Sequence, residues 1–280
     1  MNEMNYSALI EPEELLSKIN QRSPVKIIDG TFVMPGKDQH PVEKYQRKRI
    51  GKAVFFDIDE IAEKGSDLPH MLPSQDEFAD AVGKMGISRK DEIVIYGQDS
   101  LLMGPCRVWW MFGVFGHENV RVLNGSLGLW EKLNYPVNTH LPENPVPDSY
   151  TSAFNPEKVK TFQEIKEIVK NKSCQIIDAR SCERFSGEAP EPRPGLKSGH
   201  IPGSINIPCS ELVDDETGKM KSPEKLNEIF TSTGIYRHKP VITTCGSGVT
   251  ACAIALALHE TGIKNISVYD GSWSEWGREI

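Results

Sequence analysis

The sequence predicts an α/β protein made of two tandem copies of one domain, each a mainly parallel sheet flanked by helices. Three observations predict it. Short apolar runs ending in an acid or another polar residue recur along the chain, as buried parallel strands do. Amphipathic stretches with capping residues at their starts separate these runs. Landmarks of the first half also return in the second at a nearly constant offset, which is the mark of a repeat. The 280 residues suit two domains at the usual ~150 residues each.

The first matched pair is Val25–Gly30 (VKIIDG) and Gln175–Arg180 (QIIDAR), whose acids Asp29 and Asp178 lie 149 positions apart. Arg49–Ile58 (RIGKAVFFDI) then answers His200–Cys209 (HIPGSINIPC), and Glu92–Tyr96 (EIVIY) answers Pro240–Thr244 (PVITT). Last, Val120–Trp130 answers Ile266–Trp276, with the two tryptophans 146 apart. The helical stretches are Pro12–Asn20 and Ser74–Met85 in the first copy, and Thr161–Lys170 and Ser222–Phe230 in the second. In Ser74–Met85 and Ser222–Phe230 a serine followed by acids opens an amphipathic pattern. Asn138–Ser149 is rich in Pro, Asn and Asp and has no periodicity, so it reads as an extended linker. The expected organisation is a non-catalytic domain over 1–137, a linker over 138–149 and a catalytic domain over 150–280.

Charge and composition exclude several classes. The formal net charge of −7 argues against a nucleic-acid partner, whose phosphates need cations. No run reaches the ~18 apolar residues of a membrane span, so no membrane association is expected. The N-terminal residues lack a basic-then-apolar leader and Arg-rich transit character, so the expected location is cytoplasmic. The six cysteines, at 106, 174, 182, 209, 245 and 252, form no C-x-x-C pair and no zinc-spaced cluster. No metal and no cofactor are therefore expected. Cys106, Cys174, Cys209 and Cys252 read as small core hydrophobes.

Cys245 is different. It follows the apolar run at Thr244 and precedes Gly246, Ser247, Gly248, Val249 and Thr250, after which Ala251–His259 is Ala- and Leu-rich and should be helical. Strand, Gly-rich loop and helix make an anion cradle. The glycines let successive N–H groups curl toward one point, and the helix N-terminus adds positive potential there. A thiol at that focus should favour its thiolate, so Cys245 is the expected nucleophile. The first copy has Gly97 at the matching place and should be inactive. A cysteine phosphatase needs an arginine six residues after its cysteine. Ala251 stands there, and no Arg or Lys occurs from Cys245 through Leu258. A neutral cup suits a single charged sulfur, as in a persulfide, better than a phosphoryl group. A non-catalytic binding module would fit two degenerate loops, and Cys245 speaks against it.

These residues, together with RVWW (Arg107–Trp110), ERF (Glu183–Phe185), EPRPG (Glu191–Gly195), GHIPGSINIP (Gly199–Pro208) and YDGSWSEW (Tyr269–Trp276), resemble the rhodanese superfamily. Within it they are closest to the tandem-domain 3-mercaptopyruvate sulfurtransferases. Gly246 and Ser247 match that pattern, whereas thiosulfate sulfurtransferases carry charged residues after the cysteine. The resemblance implies that the Cys245 thiolate takes sulfur from a small-molecule donor, mercaptopyruvate, with pyruvate released. Thioredoxin, small thiols or cyanide would be the acceptor, and thiosulfate is the alternative donor. It further implies that Arg184 and Arg193, in a Pro/Gly-rich loop, hold the α-keto acid, as planar forked cations suit it. Gly246, Gly248, Val249 and Thr250 would line the substrate cup. A Ser247–His70–Asp59 relay would move the proton. Asp178 and Arg180 are expected to hydrogen-bond within the second domain, His200 to serve its turn, and Trp109, Trp110, Trp273 and Trp276 to pack. Two departures fall in the first copy: Arg49–Ala53 replaces a HIPGA-like turn, and Met103–Cys106 replaces a small-residue run, placing Cys106 beside the inactive loop.

Overall fold

The computed structural model describes residues 7–34 and 40–279. The chain divides into two compact units. Unit 1 holds the described residues up to Ala62, with Pro73–Phe154 and Asp215–Lys219. Unit 2 holds Glu63–Leu72, Asn155–Asp214 and the described residues from Met220 onward. Thus Glu63–Leu72, although inside the first sequence copy, belongs to unit 2.

Unit 1 contains strands β1 (Leu9–Ile10), β2 (Val25–Asp29), β3 (Val54–Phe55), β4 (Glu92–Tyr96) and β5 (Val120–Leu123) in the order β1-β5-β4-β2-β3, with every ladder parallel. Its helices are α1 (Pro12–Asn20), α2 (Pro41–Arg47), α3 (Gln75–Lys84), α4 (Gly104–Val114) and α5 (Leu127–Lys132). Residues 138–149 run along this unit. Asn138 bridges Arg49 antiparallel, and Asp148 N–H donates to Gly83 O at 2.9 Å.

Unit 2 repeats the plan. Strands β6 (Val159–Lys160), β7 (Gln175–Asp178), β8 (Ile205–Asn206), β9 (Val241–Thr244) and β10 (Ile266–Tyr269) form a parallel sheet ordered β6-β10-β9-β7-β8. Helices α6 (Phe162–Asn171), α7 (Cys182–Ser186), α8 (Pro223–Ser232), α9 (Ala251–Glu260) and α10 (Ser272–Glu279) connect and cover the strands.

Local chemistry explains the boundaries. Ser74 and Glu77 close a capping box at α3, and Thr161 with Glu164 does the same at α6, each satisfying orphan amides of the first turn. The central strands β4 and β9 are buried on both faces, so they read as continuous apolar runs rather than alternating ones. α9 is buried from Ala251 through Leu258. Its four alanines, at 251, 253, 255 and 257, leave room for close packing on both sides. Trp273, Trp276 and Tyr269 join Ile165, Ile201 and Ile242 in the core of unit 2, and Trp130 and Tyr96 serve the core of unit 1.

Candidate active site

β9 delivers the chain to Cys245 at the C-terminal edge of the sheet, where parallel α/β folds bind their ligands. The loop from Cys245 to Thr250 then turns into α9. Five of its six carbonyls, those of Cys245, Gly246, Gly248, Val249 and Thr250, are engaged with α9 and α10. Cys245 O accepts from Trp273 N at 3.0 Å, and Gly246 O accepts from Ser274 N at 2.8 Å and Ser274 Oγ at 2.7 Å. Gly248 O accepts from Cys252 Sγ at 3.2 Å, Val249 O from Cys252 N, and Thr250 O from Ala253 N. In a trans peptide plane N–H points opposite to C=O. The amides of Gly246, Ser247, Val249, Thr250 and Ala251 therefore point away from α9 and α10, the arrangement that forms a cup. Gly248 takes φ +75°, a left-handed turn that a residue with Cβ adopts at a cost. Cys245, Ser247, Gly248 and Val249 are buried, with Cys245 only 2% exposed. Cys245 N–H donates to Ser272 Oγ at 3.2 Å, which fixes the start of the loop.

The cup carries no side-chain cation of its own, but a guanidinium stands at its edge. A Cβ added to Gly246 would lie 2.9 Å from Arg184 Nη2, so the glycine makes space for Arg184. Arg184 sits on α7, not in the irregular Pro/Gly-rich segment where it was expected, because Cys182–Ser186 closes a short helical turn before Gly187 (φ +87°). Glu191, whose side chain is 2% exposed, holds it with Nη2 to Oε2 at 2.5 Å, and also receives Arg180 Nη1 at 2.7 Å. Arg180 grips Asp178 through Nε and Nη2 and stacks over Trp273 at 4.4 Å, as an intradomain ion pair should. The row Asp178, Arg180, Glu191, Arg184, buried as far as the Glu191 side chain, thus links the end of β7 to the cup through ion pairs.

Arg193 donates to His70 Nε2 at 3.2 Å. A guanidinium only donates, so that nitrogen is the acceptor of this contact. His70 is buried and holds φ +60°. The segment Glu63–Leu72 is tied to unit 2 by Leu72 N–H to Asp270 Oδ2 at 2.8 Å, and by Arg278 Nη2 to Asp67 O at 2.9 Å. Unit 2 therefore contains Cys245, Ser247, Arg184, Arg193 and His70, with Arg184 beside Gly246 and Arg193 on His70. Asp59 belongs to unit 1, where it is exposed and its backbone N–H donates to Asp57 Oδ1.

The first copy keeps the frame of the loop without its thiol. Leu127 N donates to Gly97 O and Gly128 N to Gln98 O, the counterparts of the bonds to Cys245 O and Gly246 O. Cys106 is buried and bonds Leu101 O at 3.0 Å, and Cys252 is buried as expected. Cys174 and Cys209 correct the expectation of core burial, since both are only half-buried. Cys174 follows the C-terminal end of α6, and Cys209 opens a 3-10 turn (Cys209–Leu212) on the site side of β8. Burial pushes the Cys209 thiol up to about 11, charge on Cys245 adds to the rise, and Arg184 opposes it. His200 serves the turn, its Nδ1–H donating to Phe185 O at 2.9 Å and its ring stacking on that of Phe185. Sequence patterns did not single out Glu191, Ser272 or Ser274. Glu191 lies inside the quoted EPRPG motif, and both serines lie inside YDGSWSEW, so the motifs contained the positions without indicating their bonds. Among the described residues no group of three His, Cys, Asp or Glu side chains could hold a metal, and no helix is long and apolar enough to cross a membrane.

A duplicated parallel sheet with one cysteine loop defines a class. Residues 11–133 and 161–279 each match the rhodanese-like domain, and the chain belongs to that family. Among its relatives, human 3-mercaptopyruvate sulfurtransferase is 37% identical over 90% of this chain and 85% of its own. Rat thiosulfate sulfurtransferase is 40% identical over 99% of this chain and 94% of its own. The crystal structure of the 3-mercaptopyruvate sulfotransferase SseA from Escherichia coli superposes with a TM-score of 0.86 at 35% identity, over 96% of this chain and all of that one.

Proposed function

We propose that the protein is a sulfurtransferase that moves sulfur from 3-mercaptopyruvate through a persulfide on Cys245 to a thiol acceptor or cyanide. The observation that carries this is the loop. Five of its carbonyls are tied outward and the amides of Gly246, Ser247, Val249, Thr250 and Ala251 left inward around one cysteine, with no Lys or Arg from Cys245 to Leu258. Such a cup stabilises a single negative sulfur by fixed dipoles that need no rearrangement during reaction.

The Cys245 thiolate attacks the donor's sulfur. The new S–S bond forms as the donor's C–S bond breaks, and its electron pair leaves on the carbon as the pyruvate enolate. The proton on the donor's sulfur balances the product when it reaches that carbon, leaving Cys245–S–S⁻ and pyruvate. Arg184, held by Glu191, and Arg193 offer forked donors to the carboxylate and ketone oxygens. Ser247 and His70 are assigned to the proton step, since a hydroxyl and an imidazole can pass a proton between them and the substrate. Thioredoxin or a small thiol then removes the outer sulfur.

Thiosulfate is the second donor to consider, because a thiosulfate sulfurtransferase matches this chain as well as the mercaptopyruvate enzymes do. Thiosulfate carries its two negative charges on one small anion and would be served by cations in the loop, where this chain has Gly246 and Ser247. Steady-state kcat/KM with each donor and one shared thiol acceptor tests the assignment. A higher value for mercaptopyruvate is expected. A higher value for thiosulfate would reverse the donor assignment.

A further inference from the structure

The reaction proposed above leaves one nearby thiol unused. Cys209 opens its 3-10 turn two residues after Ile207, and that turn packs on α9. Its N–H donates to Ala179 O at 3.1 Å, and Ala179 N–H donates to the carbonyl of Thr244, the residue before Cys245, at 2.9 Å. Ala179 therefore stands one strand spacing, ~4.8 Å, from Thr244 on one side and about as far from Cys209 on the other. Both cysteines lie at the same edge of the sheet, and charge on Cys245 and on Arg184 acts on the Cys209 thiol. Arg184 in turn lies against Gly246, so three chemically active groups share one place. Access separates the two thiols. Cys245 is 2% exposed, whereas Cys209 is half-buried.

We propose that Cys209 is a relay thiol that takes the outer sulfur of the Cys245 persulfide and presents it to the acceptor. This rests on the sulfurtransferase assignment. In the step, the outer sulfur of Cys245–S–S⁻ takes a proton from solvent while the Cys209 thiol gives one up to solvent, so no net proton is gained or lost. The Cys209 thiolate then attacks that outer sulfur. A bond between Cys209 Sγ and the outer sulfur forms as the bond from Cys245 Sγ breaks, and its electron pair stays on Cys245 as the thiolate. The products are Cys245–S⁻ and Cys209–S–SH, and no external oxidant or reductant takes part. A persulfide reaches one S–S bond, ~2.05 Å, beyond Cys245 Sγ, so the transferred atom itself narrows the gap between the two side chains. The raised basicity of Cys209 suits the order of events. It stays protonated and does not compete for the donor. Once deprotonated it is the stronger nucleophile, while the amide-held Cys245 thiolate is the better leaving group.

The test loads the full-length enzyme with mercaptopyruvate in the absence of acceptor. Acid quenching removes thiolates and stops exchange, and peptic digestion in acid then maps the extra sulfur by mass spectrometry. In the wild type the sulfur is expected on both the Cys245 and the Cys209 peptides. In Cys209→Ser and Cys209→Ala it is expected on Cys245 alone, with discharge to an added dithiol slowed roughly threefold or more. Sulfur confined to Cys245 in the wild type overturns the relay and leaves the sulfurtransferase assignment standing. No bound sulfur anywhere overturns both.

Discussion

Asp29 and Asp178 end matching strands of the two copies, yet their surroundings have opposite character. Asp178 is paired with the buried Arg180. Asp29 meets neutral donors, Thr31 and Gln98, and burial raises its carboxyl above the ordinary aspartate range despite those hydrogen bonds. Removing one partner of a buried ion pair leaves an uncompensated charge. Asp178→Asn should therefore lower unfolding free energy by about 3–5 kcal/mol, as read by chemical denaturation. Asp29 has the reverse sign. Its folded form binds a proton more tightly than the unfolded chain does, so its contribution to stability falls as pH rises from ~4 through its raised folded value. Asp29→Asn should flatten that part of the pH–stability profile, and an unaltered profile would contradict the assignment. At the substrate end, Arg184→Ala and Arg193→Ala should each raise KM for mercaptopyruvate ~10- to 100-fold, the worth of a charge-assisted hydrogen bond. Arg184→Ala should leave the unfolding midpoint close to wild type, because Glu191 keeps Arg180. An unchanged KM would remove that arginine from the binding site.

At the scale of elements, the catalytic unit is a loop with its supporting helix. Gly248→Ala places a Cβ on a backbone at φ +75°, a strain of ~1–2 kcal/mol. It should relax the loop and turn the amide of Val249 out of the cup, so persulfide formation in single turnover should slow while the circular dichroism of the folded chain persists. Wild-type persulfide formation in this variant would show that the cup's shape is unimportant. The loop itself was legible in the sequence, since an apolar run, Cys-Gly-Ser-Gly and an alanine-rich stretch state strand, turn and helix in order. Arg180, Glu191 and Arg184 were not legible as a row. Their connection depends on α7 turning back toward the sheet, and a five-residue helix carries too little periodicity to announce itself. Cys209 was misjudged for a related reason. In a run reading INIPC it looks like the end of a buried strand, but β8 stops at Asn206 and the cysteine falls on an irregular turn with a half-open face.

For the whole molecule, duplication has left two sheets with one plan and two loops with different contents. The repeat was readable from Asp29 and Asp178, from EIVIY and PVITT, and from the two tryptophans, because buried strands and their polar ends constrain residue type strongly. The membership of Glu63–Leu72 in unit 2 was not readable. It is set by bonds to Asp270 and from Arg278 that join residues about two hundred positions apart. The two loops are not interchangeable by adding a thiol. A Cβ at Gly97 would collide with Ser100 O and meet Pro105 Cγ at 2.9 Å. Gly97→Cys should therefore yield a chain that takes up no more sulfur than wild type, as read by intact mass.

The central claim is that Cys245 alone receives sulfur from the donor, inside a cup of main-chain amides. Intact-mass spectrometry of the protein after exposure to mercaptopyruvate and removal of small molecules tests it most directly. With one equivalent of mercaptopyruvate per chain the account predicts one added sulfur atom per chain, released as sulfide on treatment with dithiol, with one pyruvate formed and no addition to Cys245→Ser. An unchanged mass in the wild type, or the same addition to Cys245→Ser, would contradict it.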